Sequence, residues 1–325
     1  MCPSFLRFRF RLRAKLEKAP AADATAPLTQ PQLPNLKAVP PFELTFCEPV
    51  VAVGFAAGMT PLCGFASDGL TAQEQSATGR GIRFSAGPEN AGDGALDIRS
   101  HRDDPSNTPA SRIAYQRLYS PDADGDTYAE PAECSPTSFD CEAGELAFHQ
   151  DHAHWHYEGF FLYELFEVAD PKSALNKRRL SASTPGKKAG FCPSDDGLAD
   201  WERFFQERRY RWELDRFDRE GEPGATCFSL NNPLMGLSSG WGDFYEWQRV
   251  EQFVPFPVKA DGSPKPGFYL LRATVDPAQR LRESDENDNA SFAYFEVCDR
   301  GAGAATDRCN GGPIRIIERD HGLDP

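Results

Sequence analysis

The chain has 325 residues, with 35 basic and 49 acidic side chains and a formal net charge of -14. This length is enough for one large or two modest domains with a substantial core. The negative charge repels phosphate backbones, which argues against a nucleic-acid partner and favours a cationic small molecule or a basic protein. No apolar run reaches the roughly 18 residues that a membrane-spanning helix needs, so we expect no membrane span.

The first 32 residues are expected to form a disordered or targeting leader. They are rich in Ala, Pro, Gln and Lys and have no sustained apolar period. The segment 1–13 has the basic residues of a signal peptide, but no uninterrupted apolar stretch follows them. We assign 33–298 to one folded domain and 299–325 to a C-terminal tail.

Alternating apolar residues predict strands through most of this domain. Phe42, Leu44 and Phe46 form one face of the first strand. Helical spacing is convincing only at Leu198–Arg219, where we expect one helix. The other predicted strands lie at 81–99, 113–119, 157–168, 253–258, 267–276 and 290–298. Strands at this spacing predict an all-β fold, a β-sandwich with long loops and one or few short helices.

The acidic segment Asp122–Glu133 has two interpretations. It places oxygen atoms at positions 1, 3, 5 and 12 of a calcium-binding loop. However, position 6 is Thr127 rather than Gly, and Pro131 opposes the helix that normally follows. An acidic turn exposed to solvent is the alternative.

The nine cysteines favour an oxidising compartment, outside the cell or at the exterior of its envelope. None forms the CxxC pair of a zinc ribbon or a thioredoxin-type site. With Cys2 set aside, the other eight can pair as neighbours along the sequence, although other connectivities remain open. The neighbouring pairs are Cys47 with Cys63, Cys134 with Cys141, Cys192 with Cys227, and Cys298 with Cys309.

Four of the six histidines fall within eight residues, which predicts a metal site. An extended strand would place His152, His154 and His156 on one face. The outer two would be about 13 Å apart, so the strand must curve for one ion to bind all three. His149 is a fourth ligand or a neighbour that supports the ligands. A helix that pairs His152 with His156 and a histidine patch on the surface are the alternatives.

The residue types limit the metal and the chemistry. Imidazole suits copper, zinc, iron and nickel. Three imidazoles leave coordination positions open, which is typical of catalytic rather than structural sites. The cluster lacks the glutamate of the HExxH motif, so a zinc hydrolase is a weaker hypothesis.

Several motifs, in order along the chain, resemble the catalytic domain of the lysyl oxidase family, the copper amine oxidases with a lysyl tyrosylquinone. The histidines match the family's HxxHxHxH copper motif. Further matches are Leu33-Pro-Asn-Leu36, Ile82-Arg-Phe84, Asn90-Ala-Gly92, Tyr163-Glu-Leu165, Gly186-Lys-Lys-Ala-Gly-Phe-Cys192, Gly240-Trp-Gly-Asp-Phe-Tyr245, Pro266-Gly-Phe-Tyr-Leu270 and Glu283-Ser-Asp-Glu-Asn-Asp-Asn289. The resemblance covers about residues 33–298.

The resemblance implies a copper-dependent oxidation of primary amines, such as peptidyl-lysine, to aldehydes. Lys188 and Tyr245 match the residues that form the quinone cofactor. Dioxygen is the oxidant, and hydrogen peroxide and ammonia are released. Asp243 is the candidate base that removes the α-proton, because it precedes Tyr245 by two residues.

The resemblance also implies a calcium site, for which an acidic hairpin turn is the alternative. Its oxygen ligands would come from two distant parts of the chain. The candidate residues are Glu283, Asp285, Asp288, Asn289, Asn35 and Leu36.

The sequence departs from the family pattern at two positions near the histidines. Asp151 stands where the family has a cysteine, and Leu162 stands where it has a further histidine. These departures are compatible with a bacterial-type relative with another substrate. They also fit the main alternative function, a non-enzymatic extracellular copper-binding protein of the same fold.

Overall fold

The computed structural model describes residues 31–46, 80–121, 128–132, 134, 140–150, 153–172, 179–186, 190–199, 227–231, 233–247, 252–299 and 313–321. These residues form eighteen β-strands. In chain order they are β1 (Leu36–Ala38), β2 (Phe42–Phe46), β3 (Arg80–Ser85), β4 (Pro88–Asn90), β5 (Leu96–Arg99), β6 (Ser111–Pro121), β7 (Tyr128–Ala132), β8 (Asp140–His149), β9 (His154–Tyr157), β10 (Phe161–Glu167), β11 (Thr184–Pro185), β12 (Gly197–Leu198), β13 (Leu234–Leu237), β14 (Trp241–Gly242), β15 (Phe253–Phe256), β16 (Gly267–Val275), β17 (Ala290–Val297) and β18 (Ile314–His321).

The strands pair antiparallel in four sheets. The largest has the order β13-β5-β6-β8-β9, with β7 also paired to β6. A five-stranded sheet has the order β11-β10-β16-β17-β18, a four-stranded sheet β1-β4-β14-β12, and a three-stranded sheet β15-β3-β2. The predicted all-β, sandwich-like fold is confirmed.

One hydrophobic core joins the four sheets. Leu36, Phe84, Trp155 and Tyr163 come from different sheets, and all four are almost completely buried in the same cluster. In β16 the buried residues alternate with half-buried ones from Leu271 onwards, the period-2 pattern of a strand with one face towards a core. Full burial of each large apolar side chain contributes about 1.5–3 kcal/mol of hydrophobic stabilisation.

No helix occurs within the described ranges. The prediction of a helix at Leu198–Arg219 is wrong at its first residue. Leu198 belongs to strand β12 and pairs with Trp241 of β14. Residues 200–219 lie outside the described part of the chain, as do residues 122–127 of the candidate calcium loop.

Both ends of the described chain contact the sheets. Gln32 forms a bridge with Tyr119 of β6. At the other end, β18 pairs along β17 from Ile314 to His321. This part of the predicted C-terminal tail is therefore a strand of the five-stranded sheet.

Two of the neighbouring cysteine pairs form disulfides, Cys134 with Cys141 and Cys192 with Cys227. Cys298 is also disulfide-bonded. Cys47, Cys63 and Cys309 lie outside the described residues. Within the described segments, no helix is long and apolar enough to cross a membrane.

The Cys192–Cys227 disulfide is expected to stabilise the fold more than the Cys134–Cys141 disulfide does. It closes a loop of 35 residues, compared with 7 for the other pair. The loop-entropy relation gives about 3–4 kcal/mol for the longer loop and about 2 kcal/mol for the shorter one. Denaturant unfolding of the two double Cys→Ala variants measures both losses. Equal losses, or a larger loss for the short loop, would contradict this ranking.

Candidate metal centre

The histidine cluster lies on a β-hairpin formed by β8 and β9. His149 is the last residue of β8, His154 is the first residue of β9, and the two are directly paired. Residues directly opposite in an antiparallel pair share a face, and so do residues two apart in one strand. His149, His154 and His156 therefore lie on the same face of the hairpin.

The prediction that one extended strand runs from His152 to His156 is wrong at Ala153. This residue is in a turn with a left-handed φ of 54°, and its N–H donates to the carbonyl of Gln150. A left-handed residue cannot continue an extended strand. The reversal of the chain, rather than curvature of one strand, gathers the imidazoles, and His152 itself lies outside the described residues.

The three described imidazoles are in contact. The Nε2 atoms of His154 and His156 are 2.8 Å apart. The ring centroids of His149 and His156 are 4.1 Å apart, and those of His154 and His156 are 4.6 Å apart. His156 is buried, whereas the other two are half-buried. Nitrogen donors this close fit a borderline transition metal such as copper or zinc.

Glu158 is a member of the cluster that the sequence analysis missed. Its Oε1 atom is 2.9 Å from Nε2 of His149. Ligand atoms of His149, His156 and Glu158 all lie within 4.8 Å of one another. Residues two apart in an extended chain lie on the same face, so the alternation that relates His154 to His156 also includes position 158. This alternation is the sequence pattern that could have identified Glu158.

The edge of β9 that does not pair with β8 forms two backbone hydrogen bonds. The N–H of Trp155 donates to the carbonyl of Cys227 at 2.9 Å, and the N–H of Tyr157 donates to the carbonyl of Phe191 at 2.7 Å. The disulfide between Cys192 and Cys227 connects the two flanking segments covalently. The histidine strand is therefore fixed along both edges.

Tyr245, the tyrosine predicted to form the quinone, packs against Phe191, which pairs with Tyr157 of β9. The rings of Phe191 and Tyr245 meet edge to face with centroids 4.5 Å apart. Tyr245 is half-buried and exchanges two backbone hydrogen bonds with Ala86. Phe191 therefore contacts both the histidine strand and the tyrosine. Lys188 lies outside the described residues.

Asp243 is buried two residues before Tyr245, with 5 % of its surface exposed. Its N–H donates to the carbonyl of Pro88. Gly87 permits this close approach, because a Cβ on residue 87 would lie 1.9 Å from the Asp243 carbonyl oxygen. Burial, and to a smaller degree the negative charge of Asp243, raises the pKa of Tyr163. The two side chains therefore interact electrostatically within the core.

The predicted calcium residues are only partly gathered. Glu283 accepts hydrogen bonds from the N–H of Leu36 at 2.5 Å and from Nδ2 of Asn289 at 2.8 Å. The Asn35 amide donates to Asp288, which also pairs with Lys37. Asp285 faces solvent and accepts from the N–H of the residue two positions later.

Two further carboxylates approach Glu283, namely Asp276 and Glu286. Burial raises the pKa of Glu283 to about 8, and it also raises the pKa of Asp276 and of Glu286. The buried Oδ1 atoms of Asn35 and Asn289 accept no hydrogen bond within the described structure. Carboxylate and amide oxygens together fit calcium chemically.

In comparisons with known proteins, no protein-family model and no curated protein matches the chain.

Protonation of Glu283 predicts a pH-dependent stability in the absence of metal ions. Because folding raises its pKa from 4.5 to about 8, the folded state holds a proton that the unfolded state releases. The contribution of Glu283 to the free energy of unfolding is largest below the unfolded pKa and is lost as the pH rises through about 8. The slope is at most about 1.4 kcal/mol per pH unit. Denaturant titrations with a chelator measure it, and Glu283→Gln is expected to flatten the curve. An unchanged slope in this variant would assign the dependence to other groups.

Proposed function

We propose that the protein is a copper-dependent oxidase of primary amines, similar to the lysyl oxidases and with peptidyl-lysine or a related amine as substrate. The observation that carries this proposal is the contact among three imidazoles on a hairpin whose strand β9 pairs with Phe191, the residue that packs against Tyr245. His156 belongs to β9, β9 pairs with Phe191, and the ring of Phe191 contacts Tyr245. The proposed transition-metal site and an oxidisable tyrosine thus have Phe191 as a common neighbour.

His149, His154 and His156 are the described ligands proposed for copper, and His152 is the predicted ligand outside the described residues. Imidazole nitrogens suit copper, and the Irving–Williams order favours Cu(II) over the other divalent first-row metals at such a site. The protein positions these nitrogens with backbone pairing on both edges of β9, so little conformational freedom remains to be lost when an ion binds.

Lys188 and Tyr245 are the proposed precursors of the cofactor. Lys188 precedes Phe191 by three residues. Phe191 is the residue whose ring contacts that of Tyr245. Phe191 limits the orientations of that ring by its edge-to-face packing.

Bound copper and the cross-linked quinone would together supply the electron acceptor by which dioxygen and water convert a primary amine to an aldehyde, hydrogen peroxide and ammonia. Asp243 takes the α-proton of the amine in this proposal. Asp243 is buried, and its backbone N–H donates to the carbonyl of Pro88, which fixes the backbone two residues before Tyr245. The net charge of -14 favours the approach of a cationic amine.

The proposed location is outside the cell or at the exterior of its envelope. The two disulfides with both partners described are compatible with an oxidising compartment. Calcium is proposed as a structural ion at the carboxylates of Asp276, Glu283 and Glu286.

The cross-link between Lys188 and Tyr245 tests the oxidase proposal directly. In protein expressed aerobically with copper, peptide mass spectrometry is expected to find one linked peptide that carries both residues. His156→Ala is expected to give two unlinked peptides, because copper no longer reaches the tyrosine. His101→Ala is the matched control, since His101 pairs with Asp140 away from the cluster.

Two unlinked peptides from the copper-loaded wild-type protein would rule out the oxidase and leave the non-enzymatic copper-binding protein. Catalysis that persists without dioxygen would favour the zinc hydrolase instead.

Calcium is expected to raise the melting temperature of the wild-type protein in calorimetry. A ligand at one hundred times its dissociation constant adds about 2.7 kcal/mol to the free energy of unfolding. Glu283→Gln is expected to remove most of this increase, because it replaces the carboxylate at the centre of the cluster. Glu164→Gln is the control, since Glu164 pairs with Arg272 on the five-stranded sheet. A calcium response that survives in Glu283→Gln would exclude this site.

A further inference from the structure

The position of Glu158 within the histidine cluster differs from that of an ordinary surface glutamate. Its carboxylate lies 2.9 Å from Nε2 of His149, and its ligand atom falls within 4.8 Å of those of His149 and His156. The carboxylate is only one-third exposed. A solvated ion pair would stabilise the fold by about 0–1 kcal/mol, which gives little reason to hold a carboxylate among imidazoles.

We propose that Glu158 is itself a ligand of the metal, so that the centre combines imidazole nitrogens with one carboxylate oxygen. This rests on the metal centre of the proposed function, but not on the oxidation of amines. It differs from the all-imidazole ligand set that the sequence predicts.

The separations within two pairs of candidate ligand atoms match that of neighbouring ligands of one ion. Two donors about 2.0–2.1 Å from one metal, at a right angle, are separated by roughly 2.9 Å. His154 and His156 present their Nε2 atoms 2.8 Å apart, and His149 and Glu158 present theirs 2.9 Å apart. Each pair therefore has the separation of two adjacent positions around one ion.

Gly190 makes room for the carboxylate. A Cβ on residue 190 would lie 2.6 Å from Oε1 of Glu158 and 3.1 Å from Cβ of His156. The first of these distances is a steric clash, so the Glu158 carboxylate would have to shift if residue 190 carried a Cβ. Gly190 immediately precedes Phe191, which pairs with Tyr157. The space is therefore bounded by backbone that is itself fixed.

The backbone of Glu158 is also fixed. Its N–H donates to the carbonyl of Glu145 on β8 at 2.9 Å. Gly159 follows in the turn after β9 with a left-handed φ of 71°. The carboxylate consequently extends from the first residue after β9, on the side of the histidines.

An oxygen ligand changes the chemistry of the centre. A carboxylate is a harder donor than imidazole and carries a negative charge, so it stabilises a divalent ion relative to Cu(I), which soft sulfur ligands select. The proposed site therefore retains Cu(II) more strongly than three imidazoles alone would.

Competition with a chelator tests this assignment by measuring Cu(II) affinity. Glu158→Gln is expected to lower the affinity at least about 10–100-fold, while its amide still accepts a hydrogen bond from His149. Gly190→Ala is expected to lower it in the same direction. Glu145→Gln is the matched control, an exposed carboxylate on the adjacent strand, and is expected to bind copper as the wild-type protein does.

A double-mutant cycle distinguishes a ligand from a residue that only orients His149. If Glu158 is a ligand, Glu158→Gln weakens binding further in the His149→Ala background, and electron paramagnetic resonance shows the same number of coupled nitrogens with and without Glu158. If Glu158 acts only through His149, the second substitution has no effect, and the assignment is overturned. Unchanged affinity in Glu158→Gln also overturns it and leaves the proposed function intact. Failure of the wild-type protein to bind copper overturns both.

Discussion

The backbone pairing of β9 is the constraint on which the candidate centre depends. One edge of this four-residue strand pairs with β8, and the other is held by the carbonyls of Cys227 and Phe191. Trp155 and Tyr157, which alternate with the histidines, are almost completely buried. The strand is therefore fixed by its buried apolar residues and by backbone hydrogen bonds on both edges. The imidazoles lie on its other face, and the fixed backbone limits their arrangement.

Two groups of ionisable side chains have different physical characters in this protein. The histidine hairpin combines neutral nitrogen donors with one carboxylate, so it suits a transition metal. The cluster around Glu283 consists of oxygen donors that repel one another, and burial favours their protonated forms. A hard divalent cation would replace those protons. The two groups therefore differ in the kind of ion that their donor atoms suit.

Local patterns in the sequence predicted the all-β class, many of the strands and the two described disulfides, because alternation and cysteine order are properties of neighbouring residues. The reversal at Ala153 could not be predicted, since a left-handed alanine leaves no compositional trace. The approach of Asp276 and Glu286 to Glu283 was missed for another reason. It depends on how the loop after β16 folds back, and on contact with the first strand through Leu36.

The disulfide between Cys192 and Cys227 has a consequence for how this protein can vary. It holds both flanking segments of β9 at fixed points, so the chain between the two cysteines is a covalently closed loop. The entropy of closing such a loop grows only with the logarithm of its length. A change in the length of the segment between β12 and Cys227 therefore adds little to the entropic cost of closing this loop.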